Sequence, residues 1–164
     1  MAKGQYDRDH IGVIRRIRLL TGLAALLMVT FAFVLGVALP ADGGMAPDWN
    51  KNSPVLILLL DRNCRRGEVV CVRLPEGGTV LRRVVAVSGD TVEVRGGAVY
   101  INGLAERGNY SFTRTEAAAD GPRYPLLLRQ GEFFVLADRR EILADSRSFG
   151  LLTEKDILGK VLIQ

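Results

Sequence analysis

Residues 81–94 read LRRVVAVSGDTVEV, and this stretch decides the fold of the chain. It predicts an apolar strand through Val84, Val85 and Val87, a tight turn at 88–90, and a second strand at 92–94 in which apolar and charged residues alternate. The turn has a physical basis, because glycine tolerates a positive φ and aspartate can hydrogen-bond the backbone that follows it. The stretch therefore predicts two strands joined by a tight turn.

Two arginines, Arg82 and Arg83, lie inside the first of these strands, beside the part that should be buried. A buried guanidinium must be paired or must reach water, because an isolated charge is costly to remove from solvent. We therefore expect this strand to border a groove, with the functional chemistry of the protein close to it.

The remaining pattern is also that of a β protein. Short apolar or alternating runs, separated by turn residues every eight to twelve positions, predict strands at 55–60, 68–74, 79–87, 91–95, 98–102, 132–136 and 160–163. Turns are expected at 61–67 and 75–78, and a two-residue hairpin turn at Gly96-Gly97. Thr153 is a predicted N-cap for one helical turn that ends at Gly159, with Asp156 in the capping-box position. The predicted fold class is mainly β, a small β-barrel or folded sheet.

Two segments carry little periodicity and no predicted strand. Residues 103–130 are too long for an ordinary turn, and loops of that length are often mobile or functional. Residues 137–150 are irregular, polar and densely charged.

The N-terminal region predicts a membrane anchor. Residues 19–39 carry no charge and are long enough to cross about 30 Å of hydrocarbon as a helix. Arginines at 15, 16 and 18 precede the run, so the positive-inside rule places residues 1–18 in the cytoplasm and residues 40–164 outside, as an extracytoplasmic β domain. A cleaved signal peptide is the alternative, although the exit at 37–41, VALPA, is a poor cleavage site. The predicted location is the cell membrane, with a single pass.

The charge distribution argues against a nucleic-acid partner. The chain has a formal net charge of +4, but residues 1–18 hold five basic and two acidic residues, which leaves +1 for the remainder. The high isoelectric point therefore reflects the basic N-terminal segment and membrane topology. No basic run with interleaved aromatic residues occurs after residue 18.

The two cysteines, Cys64 and Cys71, are expected on the oxidising side of the membrane, where a disulfide is permitted. Cys71 falls in a strand pattern and Cys64 in a polar turn, so one buried small side chain and one loop thiol is the alternative. No metal site or other cofactor is expected, because the only histidine, His10, lies on the opposite side of the membrane.

Three stretches together resemble the type I signal peptidases, the membrane-anchored serine proteases that remove signal peptides from exported proteins. RRVVAVSGDTVEV, followed by AVYINGL, is similar to the family's lysine-bearing strand and hairpin. EFFVLADRREILADSRSFG is similar to its last conserved box, and GGMAP at 43–47 is similar to the nucleophile box, Ser-Met-x-Pro. The resemblance runs through about residues 12–164 in the family's order.

The catalytic positions depart from that pattern. The residue that matches the nucleophilic serine is Gly44, the one that matches the general-base lysine is Arg82, and the one that matches the orienting serine is Leu143. Glycine supplies no nucleophilic atom, and arginine stays protonated and cannot accept a proton from serine. A relocated pair, Lys51 and Ser53, is the alternative catalytic set, against the ordinary interpretation of Lys51 as a solvated loop charge.

Other positions match the family's scaffold. The resemblance implies that Asp145 and Arg147 form a salt bridge that braces the site and that Asp138 has a structural role, whereas solvated loop charges are the alternative. Met45 and Pro47 would face the bilayer or line the substrate cleft, and Arg83 would belong to the peptide groove.

The leading hypothesis is a membrane-anchored family member that has lost proteolysis and binds exported polypeptide, including pilin precursors, by strand addition. It resembles the silent homologues that accompany sortase-built pili. One alternative is an active signal peptidase that cleaves preproteins with a relocated catalytic set. Another is a non-catalytic structural subunit that partners an active peptidase, or a sortase, through the anchor or the 103–130 loop.

Overall fold

The computed structural model describes residues 2–74, 77–106 and 114–162, in two compact units, Met1–Leu35 and Gly36–Gln164. The first unit is one long helix, α1 (Ala2–Val34). Its segment Gly12–Val34 has a mean hydropathy of 2.1 and is long and apolar enough to cross a membrane. A signal sequence near an N-terminus has the same length and composition, so this helix is an anchor or a signal sequence.

The second unit is mainly β, which confirms the predicted fold class. Its strands are β1 (Leu35–Ala38), β2 (Val55–Leu58), β3 (Val69–Arg73), β4 (Thr79–Ala86), β5 (Thr91–Arg95), β6 (Ala98–Ile101), β7 (Leu104–Ala105), β8 (Leu126–Leu127), β9 (Glu132–Leu136), β10 (Leu152–Thr153) and β11 (Ile157–Val161). One short helix, α2 (Ser146–Phe149), lies between β9 and β10.

These strands form two open sheets. The order is β1-β2-β11-β3-β4-β9-β10 in the seven-stranded sheet and β7-β6-β5-β8 in the four-stranded sheet. Neither sheet closes on itself within the described residues, so the folded-sheet form of the expectation holds and the barrel form is wrong. The quoted stretch supplies one strand to each sheet, because β4 pairs with β3 and β9 whereas β5 pairs with β6 and β8.

The core is continuous along β4, which is buried from Val80 to Ala86. Three clusters of apolar side chains pack around it and its neighbours. The first is centred on Val84 and Val135, the second on Phe134 and Leu136, and the third on Leu81 with residues of β2, β3 and β11.

The turn between β4 and β5 is held by Asp90. Its carboxylate accepts hydrogen bonds from Val87 N (2.8 Å), Arg66 Nε (2.8 Å) and Asn102 Nδ2 (3.0 Å), and it also pairs with Arg66 Nη2. Gly89, at φ 88°, supplies the left-handed residue that the turn requires. Burial raises the pKa of Asp90, but these hydrogen bonds and the charge of Arg66 outweigh it and hold the pKa below the ordinary 3.8.

The Asp90→Asn change should therefore have a pH-dependent effect on stability. Because the folded-state pKa lies below 3.8, the ionised carboxylate contributes its full stability above that value and loses it as the pH falls through the folded-state pKa. We expect the change to cost about 1–3 kcal/mol of unfolding free energy near neutral pH. Urea unfolding from neutral to acid pH should show this difference shrink, and Asp48→Asn, at an exposed carboxylate, is the control. A difference that does not vary with pH would contradict this account.

The predicted helix at 153–159 is wrong. Thr153 N and Oγ1 do donate to Asp156 Oδ2, at 2.7 and 2.8 Å, but these contacts close the turn between β10 and β11. Gly159 lies inside β11, at a register shift, and a Cβ there would sit 2.5 Å from the Leu58 carbonyl oxygen. The glycine therefore permits a close approach of β2 and does not end a helix. Helical residues occur at Ser146–Phe149, within the segment expected to be irregular.

Other boundaries also differ from the expectation. The α1 helix ends at Val34, and β1 follows at once inside the run expected to be anchor helix. Strands β7 and β8 fall in the weakly patterned segment. The predicted turn at 75–78 lies partly outside the described residues. Positions 107–113 of the long segment lie wholly outside them, and so does position 163, where the last predicted strand ends.

The two cysteines are free, buried thiols in this structure, in separate apolar clusters. Burial raises the pKa of Cys64 to about 12 and that of Cys71 to about 11. The alternative without a bridge therefore describes this structure, with the difference that Cys64, which does lie in the loop between β2 and β3, is buried as well.

Candidate functional site

The site is assembled where the loop after β1 meets β4. Gly44 is buried in this loop, and its carbonyl oxygen accepts a hydrogen bond from Arg139 N at 2.9 Å, just beyond β9. The next side chain, Met45, is only 2% exposed and belongs to the third apolar cluster. The loop is thus fixed both to the segment after β9 and to the core.

Arg82 reaches this loop from the middle of β4. Its side chain is completely buried. Nε donates to Ala144 O at 2.9 Å, and Nη1 donates to Leu81 O at 2.6 Å. Two further bonds go to Asp42, from Nη1 to Oδ1 at 3.1 Å and from Nη2 to Oδ2 at 2.5 Å. The guanidinium is therefore clamped between the loop before Gly44, its own strand and the segment before α2.

Gly44 and Arg82 are in direct contact. A Cβ built on Gly44 would lie 2.6 Å from Arg82 Nη1 and 3.1 Å from Arg82 Cζ. A separation of 2.6 Å is shorter than van der Waals contact allows, so Arg82 fills the space that any side chain at position 44 would need.

Asp42 completes the arrangement. Its Oδ1 accepts the Gly44 N–H at 3.0 Å in addition to the contact with Arg82. Burial raises the pKa of Asp42, but the hydrogen bonds and charge of Arg82 outweigh it, helped by the Gly44 N–H and the charge of Lys51, and hold the pKa below 3.8. Asp42 is therefore an ionised counter-ion for the buried arginine.

Leu143 lies next to this cluster in the chain, but its aliphatic side chain cannot hydrogen-bond to Arg82, and the residue is 42% exposed. Its carbonyl oxygen accepts from Asp145 N (2.7 Å) and Ser148 Oγ (2.5 Å). The neighbouring Ala144 carbonyl is the group that contacts Arg82. The structure thus brings positions 44 and 82 together and places position 143 one residue from the contact.

Asp145 and Arg147 form a fully buried ion pair. Arg147 Nε and Nη2 donate to Asp145 Oδ1 and Oδ2 at 3.0 and 2.8 Å. Asp145 also accepts from Ala137 N and Arg147 N, each at 3.0 Å, and so caps α2. Arg147 donates further to the carbonyls of Arg140 (2.8 Å) and Ile142 (2.7 Å). The pair therefore ties the charged loop at 137–147 to α2.

A second buried pair joins β4 to the same loop. Arg83 Nε and Nη2 donate to Asp138 Oδ1 and Oδ2 at 2.9 and 2.6 Å, and Nη1 donates to Gly67 O at 2.7 Å. Successive side chains of a strand point to opposite faces, so Arg82 binds Asp42 on one face of β4 and Arg83 binds Asp138 on the other. Both arginines are buried and paired with carboxylates, so neither has to reach water, and the groove beside this strand stays a prediction.

The remaining predicted site residues are not gathered at this centre. The burial of Met45 in the core argues against its direct contact with peptide or lipid, whereas Pro47 is exposed. Lys51 is exposed and Ser53 half-buried, in a turn where Ser53 N donates to Asn50 O at 3.2 Å. Among residues 2–74, 77–106 and 114–162, no group of three or more histidine, cysteine or acidic side chains could hold a metal ion.

This geometry does not provide for acyl transfer at positions 44 and 82. Such a reaction needs a nucleophile, a base that can take its proton, and hydrogen-bond donors for the oxyanion. Position 44 has no side chain, Arg82 is a fixed cation, and the Gly44 N–H already donates to Asp42.

The match to known proteins covers almost the whole chain. The family model described as "Signal peptidase, peptidase S26" matches residues 13–164. The chain belongs to this family. That confirms the family resemblance drawn from the three sequence stretches.

Individual relatives cover less of it. The signal peptidase IB of Staphylococcus aureus (strain Mu50 / ATCC 700699) is 32% identical in an alignment over 111 residues, and the match covers 58% of this chain and 58% of the relative. The signal peptidase I of Bacillus licheniformis is 32% identical in an alignment over 103 residues, and that match covers 58% of this chain and 55% of the relative. A crystal structure of a signal peptidase I from Enterococcus faecalis V583 shares 25% identity and a TM-score of 0.48, covering 60% of this chain and 97% of that one. This signal-peptidase-family chain thus spans a little over half the length of the curated relatives.

Sequence reasoning missed the residue that binds both family positions. Asp42 stands two residues before Gly44, and no motif at that position marks it as a partner of Arg82. The available signal was the need of a buried Arg82 for a counter-ion. The Ala144 carbonyl carries no side-chain signal at all, so only the folded structure of this family member identifies it.

Proposed function

We propose that this chain is a catalytically silent member of the signal peptidase family that binds exported polypeptide at a membrane without cutting it. The observation that carries the proposal is the contact between Gly44 and Arg82. The guanidinium lies where a nucleophile's side chain would stand, and its four hydrogen bonds and complete burial keep it there.

An intact scaffold around the site supports a binding role. The pairs Asp145–Arg147 and Arg83–Asp138 are buried and well bonded, so the loss of the catalytic groups is not accompanied by a loss of order. Peptide binding by strand addition needs main-chain donors and acceptors at a sheet edge, and not a nucleophile.

The edge strand β1 is the best candidate for this binding. It lies at one end of the seven-stranded sheet, and the chain runs from it directly into the Gly44 loop. Val37, in the middle of the strand, is 68% exposed, and Leu39 just beyond it is also exposed. An apolar side-chain surface on an edge strand suits an extended, hydrophobic segment of an exported protein.

The proposal includes the topology predicted from the sequence. Residues 1–18 would lie in the cytoplasm, the apolar part of α1 would span the membrane, and the β domain would lie outside. The proposed cargo is a pilin precursor, because the chain resembles silent homologues that accompany pilus assembly. An active signal peptidase or a sortase would then be the enzyme that acts on it.

Absence of cleavage is the first test. The detergent-solubilised full chain should not shorten a preprotein under conditions in which the Bacillus licheniformis signal peptidase I does. Cleavage by this chain that Lys51→Ala or Ser53→Ala abolishes would establish the relocated catalytic set and overturn the proposal. Cleavage that survives both changes would overturn it as well.

Binding is tested separately with a photocrosslinking residue placed at an exposed edge. We expect crosslinks to a preprotein from position 37 in β1 and none from position 127 in β8, an exposed leucine at an edge of the other sheet. Crosslinks only from position 127, or from neither position, would contradict peptide binding at β1. The second result would favour the alternative of a structural subunit.

A further inference from the structure

We infer that Asp42 is the residue that closes this site, because its one carboxylate engages Arg82 and the Gly44 N–H together and would also hold a lysine at position 82 in its charged form. The inference rests on the proposed function, since it explains why the site is silent. It assigns Asp42 a positioning role: it acts through its two neighbours and touches no substrate.

Three contacts define that role. Oδ1 accepts Gly44 N at 3.0 Å and Arg82 Nη1 at 3.1 Å, and Oδ2 accepts Arg82 Nη2 at 2.5 Å. The Arg82 side chain has no exposed surface, whereas that of Asp42 is 26% exposed. Asp42 therefore lies between the buried cation and solvent.

The first consequence concerns the oxyanion. During acyl transfer the attacking oxygen bonds to the carbonyl carbon, its proton passes to the base, and the carbonyl electron pair becomes an oxyanion that needs N–H donors. The backbone N–H of the nucleophile position is such a donor in serine proteases. Here that N–H is taken by a carboxylate, which would also repel a neighbouring oxyanion.

The second consequence concerns the base. A buried lysine becomes a base because desolvation favours its neutral form, but a carboxylate within a few ångströms favours the ammonium by about 1–3 pK units. Asp42 is that carboxylate, and Lys51 is the other charge that acts on it. Arg83, on the opposite face of β4, is already engaged by Asp138. Restoring the family's serine at position 44 and lysine at position 82 should therefore not be enough to restore cleavage.

The decisive comparison is Gly44→Ser/Arg82→Lys with and without Asp42→Ala. The introduced lysine is followed by NMR after reductive ¹³C-methylation of the amines, with the unaltered chain, which has no lysine at position 82, as the blank spectrum. We expect its pKa to lie at or above the ordinary value of about 10.4 in the double variant and to fall by at least about one unit when Asp42 is removed. Asp48→Ala, at an exposed acid in the same loop, is the matched control and should leave the titration unchanged. Equal titration with and without Asp42 would overturn the inference.

A preprotein cleavage assay on the same variants gives a second, independent result. Faster cleavage by the triple variant than by the double variant supports the inference, whereas equal cleavage by both overturns it. If neither variant cleaves, the titration alone decides. Cleavage by the unaltered chain would sink the proposed function, yet the lysine titration would still decide the role of Asp42.

A third measurement avoids the multiple variants, which could fold poorly. In the otherwise unaltered protein, Asp42→Ala should speed hydrogen exchange of the Gly44 amide about tenfold or more, because the amide loses its acceptor. Asp48→Ala should not. Unchanged exchange at Gly44 in the Asp42 variant would overturn the inference on its own.

Discussion

Replacing Asp145 with alanine is expected to cost the β domain about 3–5 kcal/mol of unfolding free energy, and a fall in Tm of roughly 10–20 °C. Asp145 and Arg147 are both without exposed surface, so the change leaves an uncompensated guanidinium in the core. It also removes the acceptor of two backbone amides, Ala137 N and Arg147 N, and with it the cap of α2. Urea unfolding followed by circular dichroism measures the cost.

Two further variants separate the causes of that loss. Asp145→Asn keeps the size and one acceptor oxygen but removes the charge, so its effect should lie between those of wild type and alanine. Asp120→Ala, at an exposed carboxylate, should change stability by less than about 0.5 kcal/mol. If Asp145→Ala behaved like Asp120→Ala, the buried pair would not stabilise the domain and the intact-scaffold support for a binding role would be lost.

The mainly-β class and the strands of the 81–94 stretch could be predicted because local pattern decides them. Strand β4 is buried on both faces and reads as apolar residues on either side of Arg82 and Arg83, and β5 alternates with a period of two. The Gly96-Gly97 turn, with φ values of 60° and 81°, is fixed by the need for two left-handed residues in a two-residue hairpin. The conformation of each of these elements is determined by residues that are close to it in the sequence.

Other elements are set by contacts that the local pattern does not contain. Strand β1 has the same apolar composition as the helix before it, and it becomes a strand where β2 pairs beside it. Strands β7, β8 and β10 have two residues each, too few to show a period. The pattern Thr153-x-x-Asp156 fits both a helix start and a turn, and here the pairing of β10 and β11 with neighbouring strands selects the turn.

In the candidate site, too, some features could be predicted from the sequence and others depend on contacts between distant residues. The identities of Gly44, Arg82 and Leu143 can be read from the sequence once the family pattern is seen, and with them the missing nucleophile and base. The position of the guanidinium cannot be read, because its partners Asp42 and Ala144 are 40 and 62 residues away along the chain. Sequence alone also left open whether Arg82 occupies the site or turns to solvent, and the structure buries it.

That burial makes Gly44 a required glycine, which leads to the second large expected effect. Gly44→Ala should destabilise the protein by about 3 kcal/mol, the upper end of the range for overpacking, because the added Cβ would stand 2.6 Å from Arg82 Nη1. Nη1 belongs to a flexible side chain, but moving it breaks bonds to Asp42 and to the Leu81 carbonyl inside the core. The cost is steric, since Gly44 is not among the residues with a positive φ.

Gly43→Ala is the matched control, because a Cβ on Gly43 meets nothing within 4 Å and its backbone also lacks a positive φ. We expect it to change the unfolding free energy by less than about 0.5 kcal/mol. In an Arg82→Lys background, where the shorter side chain can retract, Gly44→Ala should cost much less, giving a coupling energy of about 2 kcal/mol in the double-mutant cycle. Additive effects would mean that Arg82 does not occupy the space beside Gly44. A strong coupling would mean that Arg82 excludes any side chain at position 44, so that a serine could return there only together with a smaller side chain at position 82.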